Sequence, residues 1–315
     1  MKVTEHYDRA SEPLVSFEII PPKRGASIAR VFDALDMVQK YNPPFIDITS
    51  HAAEAYFEEL PDGTVKRHVK RKRPGTIGLS AAIKHRYKVD PVPHLICSGF
   101  TKEETEDALI ELNFLGIENV LAIRGDATNA SKKHKPYREI NEYAVDLVKQ
   151  VQDMNEGHFL EQMADAQPTN FCVGVGGYPE KHIEAPNRQW DIERLKEKVN
   201  AGADYIVTQM FFDNQYYFDF VDACRKAGIE VPIVPGLKVL NNIRQLTALP
   251  KFFHLNIPEE LTQAIMRDEE HVAQIGIEWA VKQSKELLEK GVCGLHYYIM
   301  SNPTSAVSVI DQLGI

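Results

Sequence analysis

The tightest constraint on the fold is a unit that recurs along the chain: a helical run that stops at Gly and is followed at once by a short apolar, β-branched strand. It is visible in LGIENVLAI, AGADYIVTQ, AGIEVPIVP and KGVCGLHYY, where Gly116, Gly202, Gly228 and Gly291 separate the two halves. Glycine ends a helix there because it alone enters the left-handed backbone region without a Cβ penalty. Extending the pattern gives eight expected strands: Leu14 to Ile20, Phe45 to Thr49, Pro93 to Cys97, Asn119 to Ile123, Phe171 to Val175, Asp204 to Gln209, Pro232 to Pro235 and Val292 to Ile299. Continuous apolar strands joined by helices imply a parallel sheet covered by helices. Eight units in 315 residues favour closure into a single (β/α)8 TIM barrel, an α/β domain spanning 1–315, over an open sheet.

A doubly wound open sheet is the structural alternative. Against it, the first strand runs into Glu18-Ile19-Ile20-Pro21-Pro22, with no GxGxxG to cradle a dinucleotide pyrophosphate. The clearest helix is expected from Thr101 to Leu115, where Thr101 and Glu104 form a capping-box pair and Leu109, Leu112 and Leu115 make an apolar stripe. Another is expected over Thr76 to Lys88, and a third over Ile192 to Asn200 with Asp191 as its cap. Two stretches decorate the plan. Glu58 to Gly75, with PDG and then KRHVKRKRPG, reads as a polar hairpin or an extended excursion whose basic run is either a solvated face or a phosphate or cofactor contact. Asn256 to Lys290 reads as extra helices before the last strand, covering a barrel end or making a subunit contact, so a homo-oligomer is expected.

Composition narrows the function classes. A hydrophobic share of 43% against 26% charged residues suits a globular protein with a sizeable core, and the net charge of −9 disfavours nucleic acid and anionic membranes as partners. Small-molecule partners are expected instead. The N-terminus MKVTEHYDRASEPL has no apolar leader segment, and no apolar run reaches the ~20 residues that span a bilayer, so a cytoplasmic location is expected. Cys97, Cys172, Cys224 and Cys293 are widely spaced in apolar segments and read as buried thiols rather than metal ligands. HExxH, clustered carboxylates, a GxSxG elbow and a P-loop lysine are missing, so no metal site is expected.

In a barrel the C-terminal strand ends form the catalytic face, and here they carry polar groups. Glu18 stands inside VSFEIIPP, where desolvation should raise its pKa and suit it to act as a general acid, unless it is a structural partner of an Arg. His94 in PVPHLIC is either a site residue or a satisfied core histidine. Arg124-Gly125-Asp126 offers donors, an acceptor and close backbone approach to a planar heterocycle, or simply an Arg–Asp ion pair. Gln209 ends DYIVTQ and could read a ring edge beside Phe211 and Phe212, which themselves read first as core. Thr49, Ser50 and His51, then Tyr178 and His182, and the Tyr297–Tyr298 region complete the mouth, which suits an organic cofactor that supplies the hard chemistry.

VSFEIIPP, FIDIT, PHLIC, NVLAIRGD, GGYPEKH and ADYIVTQMFFD occur in an order and spacing that resembles the methylenetetrahydrofolate reductase family, from Val15 to about Tyr298. The resemblance is to the bacterial catalytic form. It implies an FAD-containing barrel that takes hydride from NADH or NADPH and reduces 5,10-methylenetetrahydrofolate to 5-methyltetrahydrofolate by a ping-pong route, supplying methyl groups for methionine synthesis. It further implies that Glu18 is the general acid that opens the methylene bridge, and that Asp126 lies near the flavin and contacts the pterin. By the same resemblance Gln209 and Gln245 contact folate or nicotinamide. Thr49, Ser50, Ala52, His94, Arg124, Gly125, Tyr143, Ala144, Tyr178, His182, Asp191 and Lys198 match positions that hold FAD.

The sequence also departs from the family. Where an Asn-Arg pair commonly follows the last strand, HYYIMSNPTS offers Ser301, Asn302 and Pro303, and Leu249 replaces an aromatic that packs on substrate. The basic excursion Lys66 to Arg73 and the segment Met154 to Pro168 read as insertions. The choice between NADH and NADPH stays open, as no Rossmann motif carries a 2′-phosphate signature. Two other functions compete: a flavin-free barrel aldolase or lyase using Glu18 and His94 for proton transfer, and a non-catalytic folate- or flavin-binding protein.

Overall fold

Eleven strands and eleven α-helices build the computed structural model among the residues it describes, 1–126 and 138–315. The strands are β1 (Leu14–Ile19), β2 (Phe45–Ile48), β3 (Glu54–Glu59), β4 (Val65–Lys70), β5 (Asp90–Ile96), β6 (Asn119–Ile123), β7 (Cys172–Gly177), β8 (Tyr205–Thr208), β9 (Ile233–Val234), β10 (Gly236–Leu237) and β11 (Gly294–Met300). The helices are α1 (Val3–Arg9), α2 (Ala29–Val38), α3 (Thr76–Tyr87), α4 (Lys102–Phe114), α5 (Ala144–Asn155), α6 (Arg188–Asn200), α7 (Asn214–Lys226), α8 (Gln245–Phe253), α9 (Glu259–Arg267), α10 (Val272–Glu289) and α11 (Thr304–Leu313).

All strands except β3 and β4 join one parallel sheet in the order β10-β11-β1-β2-β5-β6-β7-β8-β9. The sheet begins and ends on two pieces of one strand, so it wraps into the expected eight-membered barrel with extra helices. The expected strand Pro232 to Pro235 is split because Pro235 has no N–H to donate. Its carbonyl still accepts from the His296 amide at 3.0 Å, so the piece before it bonds β8 and the piece after it bonds β11. The third strand begins at Asp90, earlier than expected, with Pro91 and Pro93 inside it. Those prolines are tolerated because the ladder to β6 begins only at His94.

Local signals explain the punctuation. Gly116, Gly202, Gly228 and Gly291 have φ of +67°, +108°, +81° and +77°, the left-handed stop that the repeated unit requires. The α4 capping box forms: Thr101 Oγ1 accepts from the Glu104 amide at 3.1 Å and Glu104 returns the bond to the Thr101 amide at 2.8 Å, together stabilising by about 1 kcal/mol. One expectation is corrected. Helix α6 starts at Arg188, capped by Asn187 accepting from the Trp190 amide at 2.9 Å. Asn187 is an equally good cap placed earlier, and it leaves Asp191 in the first turn, where it accepts from the His182 amide at 2.9 Å.

The polar excursion is an antiparallel hairpin of β3 and β4, beginning at Glu54 and turning through Pro61-Asp62-Gly63. It is tied to the end of β1, since the Arg24 amide donates to the Lys72 carbonyl and Arg73 to the Pro21 carbonyl, both at 2.7 Å. Outside the barrel, Val15, Phe17, Ile46, Ile48, Leu95, Leu295 and their neighbours pack against the helices. Inside, Phe45, Val92, Leu121, Cys172, Tyr205, Val207 and Val234 fill the N-terminal end, and Val3 and Tyr7 of α1 close it. At the other end Met210, Phe212, Leu240 and Leu249 pack with Leu261 and Ile265 of α9, so the extra helices cover part of the barrel mouth. Among the described residues no helix is long and apolar enough to cross a membrane.

Candidate active site

Strand alternation decides what faces the barrel axis. Because Val15, Phe17 and Ile19 face the helices, Ser16 and Glu18 face inward; by the same alternation Asp47 and Thr49, His94, and His296 and Tyr298 point inward from β2, β5 and β11. A polar layer therefore sits above the apolar plug. Ser16 Oγ and His296 Nδ1 lie 2.9 Å apart, and Tyr298 donates its hydroxyl to the Thr208 carbonyl at 2.6 Å. The approach is close enough that a Cβ on Gly236 would come within 2.1 Å of that carbonyl.

His94 is the hub of this layer. Its Nε2 lies 3.5 Å from Glu18 Oε2 and 3.4 Å from Asp47 Oδ2, with all three side chains buried. Neither Asp47 oxygen nor His94 Nε2 makes a hydrogen bond with the described residues. Burial pushes the Glu18 carboxyl up to about 7; the Asp47 charge adds to this, while His94 and Lys238 oppose it. Asp47 is likewise pushed up to about 7 by burial, against His296. Burial lowers His94 and His296, and draws Lys238 down to about 8, its ammonium donating to the Tyr298 carbonyl at 2.7 Å. The partners of Glu18 are thus an imidazole and a lysine, not the arginine weighed from the sequence.

A second group gathers at the ends of β6 and β7. Arg124 forms its ion pair with Glu184 rather than with Asp126, and its guanidinium lies 5.5 Å from the Tyr143 ring centre, where Tyr143 precedes α5 and Ala144 begins it. Gly125 has φ +75° and its added Cβ would press Ile96 at 3.1 Å, so the backbone there needs glycine, and Asp126 beyond it is exposed. Tyr178 meets His182 edge-on at 4.7 Å, and Lys198 donates to the Gly176 carbonyl at 2.7 Å. Desolvation draws Lys198 down to about 8 despite nearby Asp191.

Thr49 follows β2 directly: its hydroxyl lies 3.1 Å from His51 Nε2 and its carbonyl accepts from Thr76 at 2.9 Å. Ser50 and His94 line a cleft of about 260 Å³ shared with His51, Arg71 and Arg73, which does not reach Arg124 or Lys198. Ala52 packs under Gly99 in the same loop region. Gln209 follows β8, its side-chain oxygen turned back to accept from the Met210 amide at 3.0 Å. Gln245 stands apart at the start of α8, its oxygen accepting from the Asn241 and Asn242 amides at 2.8 and 3.1 Å. Asn302 is exposed after β11 and caps Thr304, while Leu249 is buried among the apolar residues of the mouth.

Sequence reasoning missed Asp47, His296 and Lys238. The signal for Asp47 was present: a carboxylate in FIDIT that shares a strand face with Phe45 and Thr49. His296 carried a weaker one, an imidazole inside GLHYY. Among the described residues no cluster of three or more His, Cys, Asp or Glu is arranged to hold a metal, and all four cysteines are free thiols.

Residues 2–314 match the family described as methylenetetrahydrofolate reductase. The sequence is 32% identical to the methylenetetrahydrofolate reductase (NADH) 1 of Arabidopsis thaliana, over 100% of this chain and 51% of that protein. It is 29% identical to the 5,10-methylenetetrahydrofolate reductase of Salmonella typhimurium, over 96% of this chain and 90% of that one. The chain thus spans about half the length of the plant relative and most of the bacterial one. Among solved structures, an uncharacterized protein from Clostridium thermocellum that binds two copies of 5-methyl-5,6,7,8-tetrahydrofolic acid superposes with a TM-score of 0.59 at 14% identity, covering 99% of this chain and 100% of that one, a likeness of fold. By the match along nearly its whole length, the chain belongs to the methylenetetrahydrofolate reductase family.

Proposed function

We propose that residues 1–315 act as one catalytic unit that reduces 5,10-methylenetetrahydrofolate to 5-methyltetrahydrofolate, with FAD as cofactor and NADH or NADPH as hydride donor. The observation that carries this reading is the buried Glu18 carboxyl, held in its acid form up to about pH 7 at the barrel mouth. A carboxylic acid that keeps its proton near neutrality suits opening of the methylene bridge, where a ring nitrogen must be protonated as its bond to carbon breaks. Glu18 donates that proton, and its burial keeps water from competing.

The donor set fits a flavin dinucleotide. Lys198 is desolvated while its hydrogen bond goes to a neutral carbonyl, so a phosphate or ribose oxygen beside it would recover much of the cost of burial. Arg124, His182 and Thr49 offer further donors, Tyr143 and Tyr178 offer flat apolar faces, and Gly125 lets the backbone approach closely. These residues with Ser50, Ala52, His94, Ala144 and Asp191 hold the cofactor; Asp126, Gln209 and Gln245 contact the substrates. FAD, when bound, accepts hydride from the nicotinamide and passes it to the folate. The two substrates take turns at one face, which gives a ping-pong order. The exposed Phe252 and Met266 on α8 and α9 support self-association into a homo-oligomer, and we place the protein in the cytoplasm.

The visible spectrum of the purified protein tests the reading. Yellow protein whose absorbance is bleached anaerobically by NADH or NADPH and restored by methylenetetrahydrofolate is expected. Colourless protein that binds no added FAD would sink it.

A further inference from the structure

Asp47 is a buried carboxyl for which the reaction proposed above has no use. It lies one strand from Glu18, directly opposite it in the β1–β2 register, and is 1% exposed. Among the described residues neither of its carboxyl oxygens finds a hydrogen bond, yet His94 Nε2 is 3.4 Å from one of them and 3.5 Å from Glu18. An interior carboxylate left unpaired costs several kcal/mol, so a residue that served only packing would be better as almost any apolar side chain. Two carboxyls that share one imidazole in a dry site behave as a pair, because the second cannot ionise without facing the charge of the first.

We propose that Asp47 is a positioning residue that keeps Glu18 in its proton-donating form: its carboxyl converges with Glu18 on the same nitrogen, His94 Nε2, and the charge it carries when ionised repels the charge that Glu18 would acquire on losing its proton. Both carboxyls are pushed up by burial, and Asp47 has two imidazoles near it, His94 from β5 and His296 from β11. The other groups that face the pair are Tyr298 of β11, Tyr205 of β8 and Tyr7 of α1, all neutral phenols pushed upward by burial, and Lys238 after β10, whose charge acts on Glu18 in the opposite sense. His51 lies beyond His94 and is lowered by burial.

The inference rests on Glu18 as the acid of the proposed reaction, but its electrostatic part can be read without turnover. In protein labelled with ¹³C at the glutamate side-chain carboxyl, the Glu18 resonance is assigned by its absence from Glu18→Gln and titrated in wild type and in Asp47→Asn. Removing a like charge at this range should lower the Glu18 midpoint by about one pH unit. Asp47→Ser, which removes the same charge with less bulk, should give the same shift and stands in if the amide is not accommodated. The alkaline fall of folate reduction should move down by the same amount, while flavin reduction by NADH keeps its pH profile. A Glu18 midpoint that stays put in both variants overturns the proposal. A shifted midpoint in a protein that never reduces folate overturns the proposed activity instead and upholds the coupling of the two carboxyls.

Discussion

Glu18 and Asp47 stand opposite one another in the parallel register of β1 and β2, two buried acids each pushed up to about 7 by the same loss of water. In the unfolded chain both titrate near their ordinary values of 4.5 and 3.8. Between about pH 4 and about pH 7 the folded protein therefore retains protons that the unfolded chain has released, and stability falls as pH rises through that window. Asp47→Asn removes one of the two acids and should flatten the fall. Urea denaturation at about pH 5 and about pH 8 should show the variant losing less stability than wild type, by roughly 2–4 kcal/mol. Parallel losses in the two proteins would mean that Asp47 is not desolvated as described.

Glu18→Gln keeps the shape of the side chain and removes its proton. The reduction of bound flavin by NADH needs no acid and should stay within about twofold of wild type, while reoxidation by methylenetetrahydrofolate should slow by roughly 10²–10⁴-fold. Stopped-flow measurement of each half-reaction separates the two. Equal loss in both would assign Glu18 a structural role.

Lys238 is the cation whose field reaches Glu18, and it opposes the effects of burial and of Asp47. Lys238→Met should let the Glu18 pKa climb further, so the alkaline fall of folate reduction should move to higher pH by up to about one unit. The direction is opposite to that expected for Asp47→Asn. A limb displaced downward in Lys238→Met would show that the ammonium does not act on Glu18 as a charge.

Gly174 of β7 has no Cβ because the Tyr205 ring occupies that place, the nearest ring carbon lying 2.3 Å from where the Cβ would sit. Gly174→Ala should therefore destabilise the barrel by about 1–3 kcal/mol through overpacking, read as a lower urea midpoint. An unchanged midpoint would mean that Tyr205 can yield.

Much of the barrel was legible because its signals are local. Gly116 stops α4, Thr101 starts it, and the β-branched run Asn119–Ile123 needs only its own residues to read as a strand. Asp191 misled because two good caps lie four positions apart, and the contacts of the first turn, not propensity, choose between them. The polar interior was only half legible. Treating FIDIT as a continuously apolar strand hid Asp47, whose meaning depends on His94 in a neighbouring strand. Ser16 and His296 meet across almost the full length of the chain, a pairing that only closure of the sheet creates. The Gln245 oxygen accepts from two amides of its own loop, a local choice that no spacing reveals.

The last strand of the barrel pairs with the first, β11 against β1 along nearly all of its length. During synthesis from the N-terminus, the ribosome must deliver Gly294–Met300 before that seam can form, so β1 waits with an unsatisfied edge until the rest of the barrel has been made. Until then water reaches the inward carboxyls, and they ionise as they would in a peptide. At neutral pH the docking of β11 is thus also an uptake of protons: the charge state of the interior is set in one late event, when the nascent chain shuts its own solvent out.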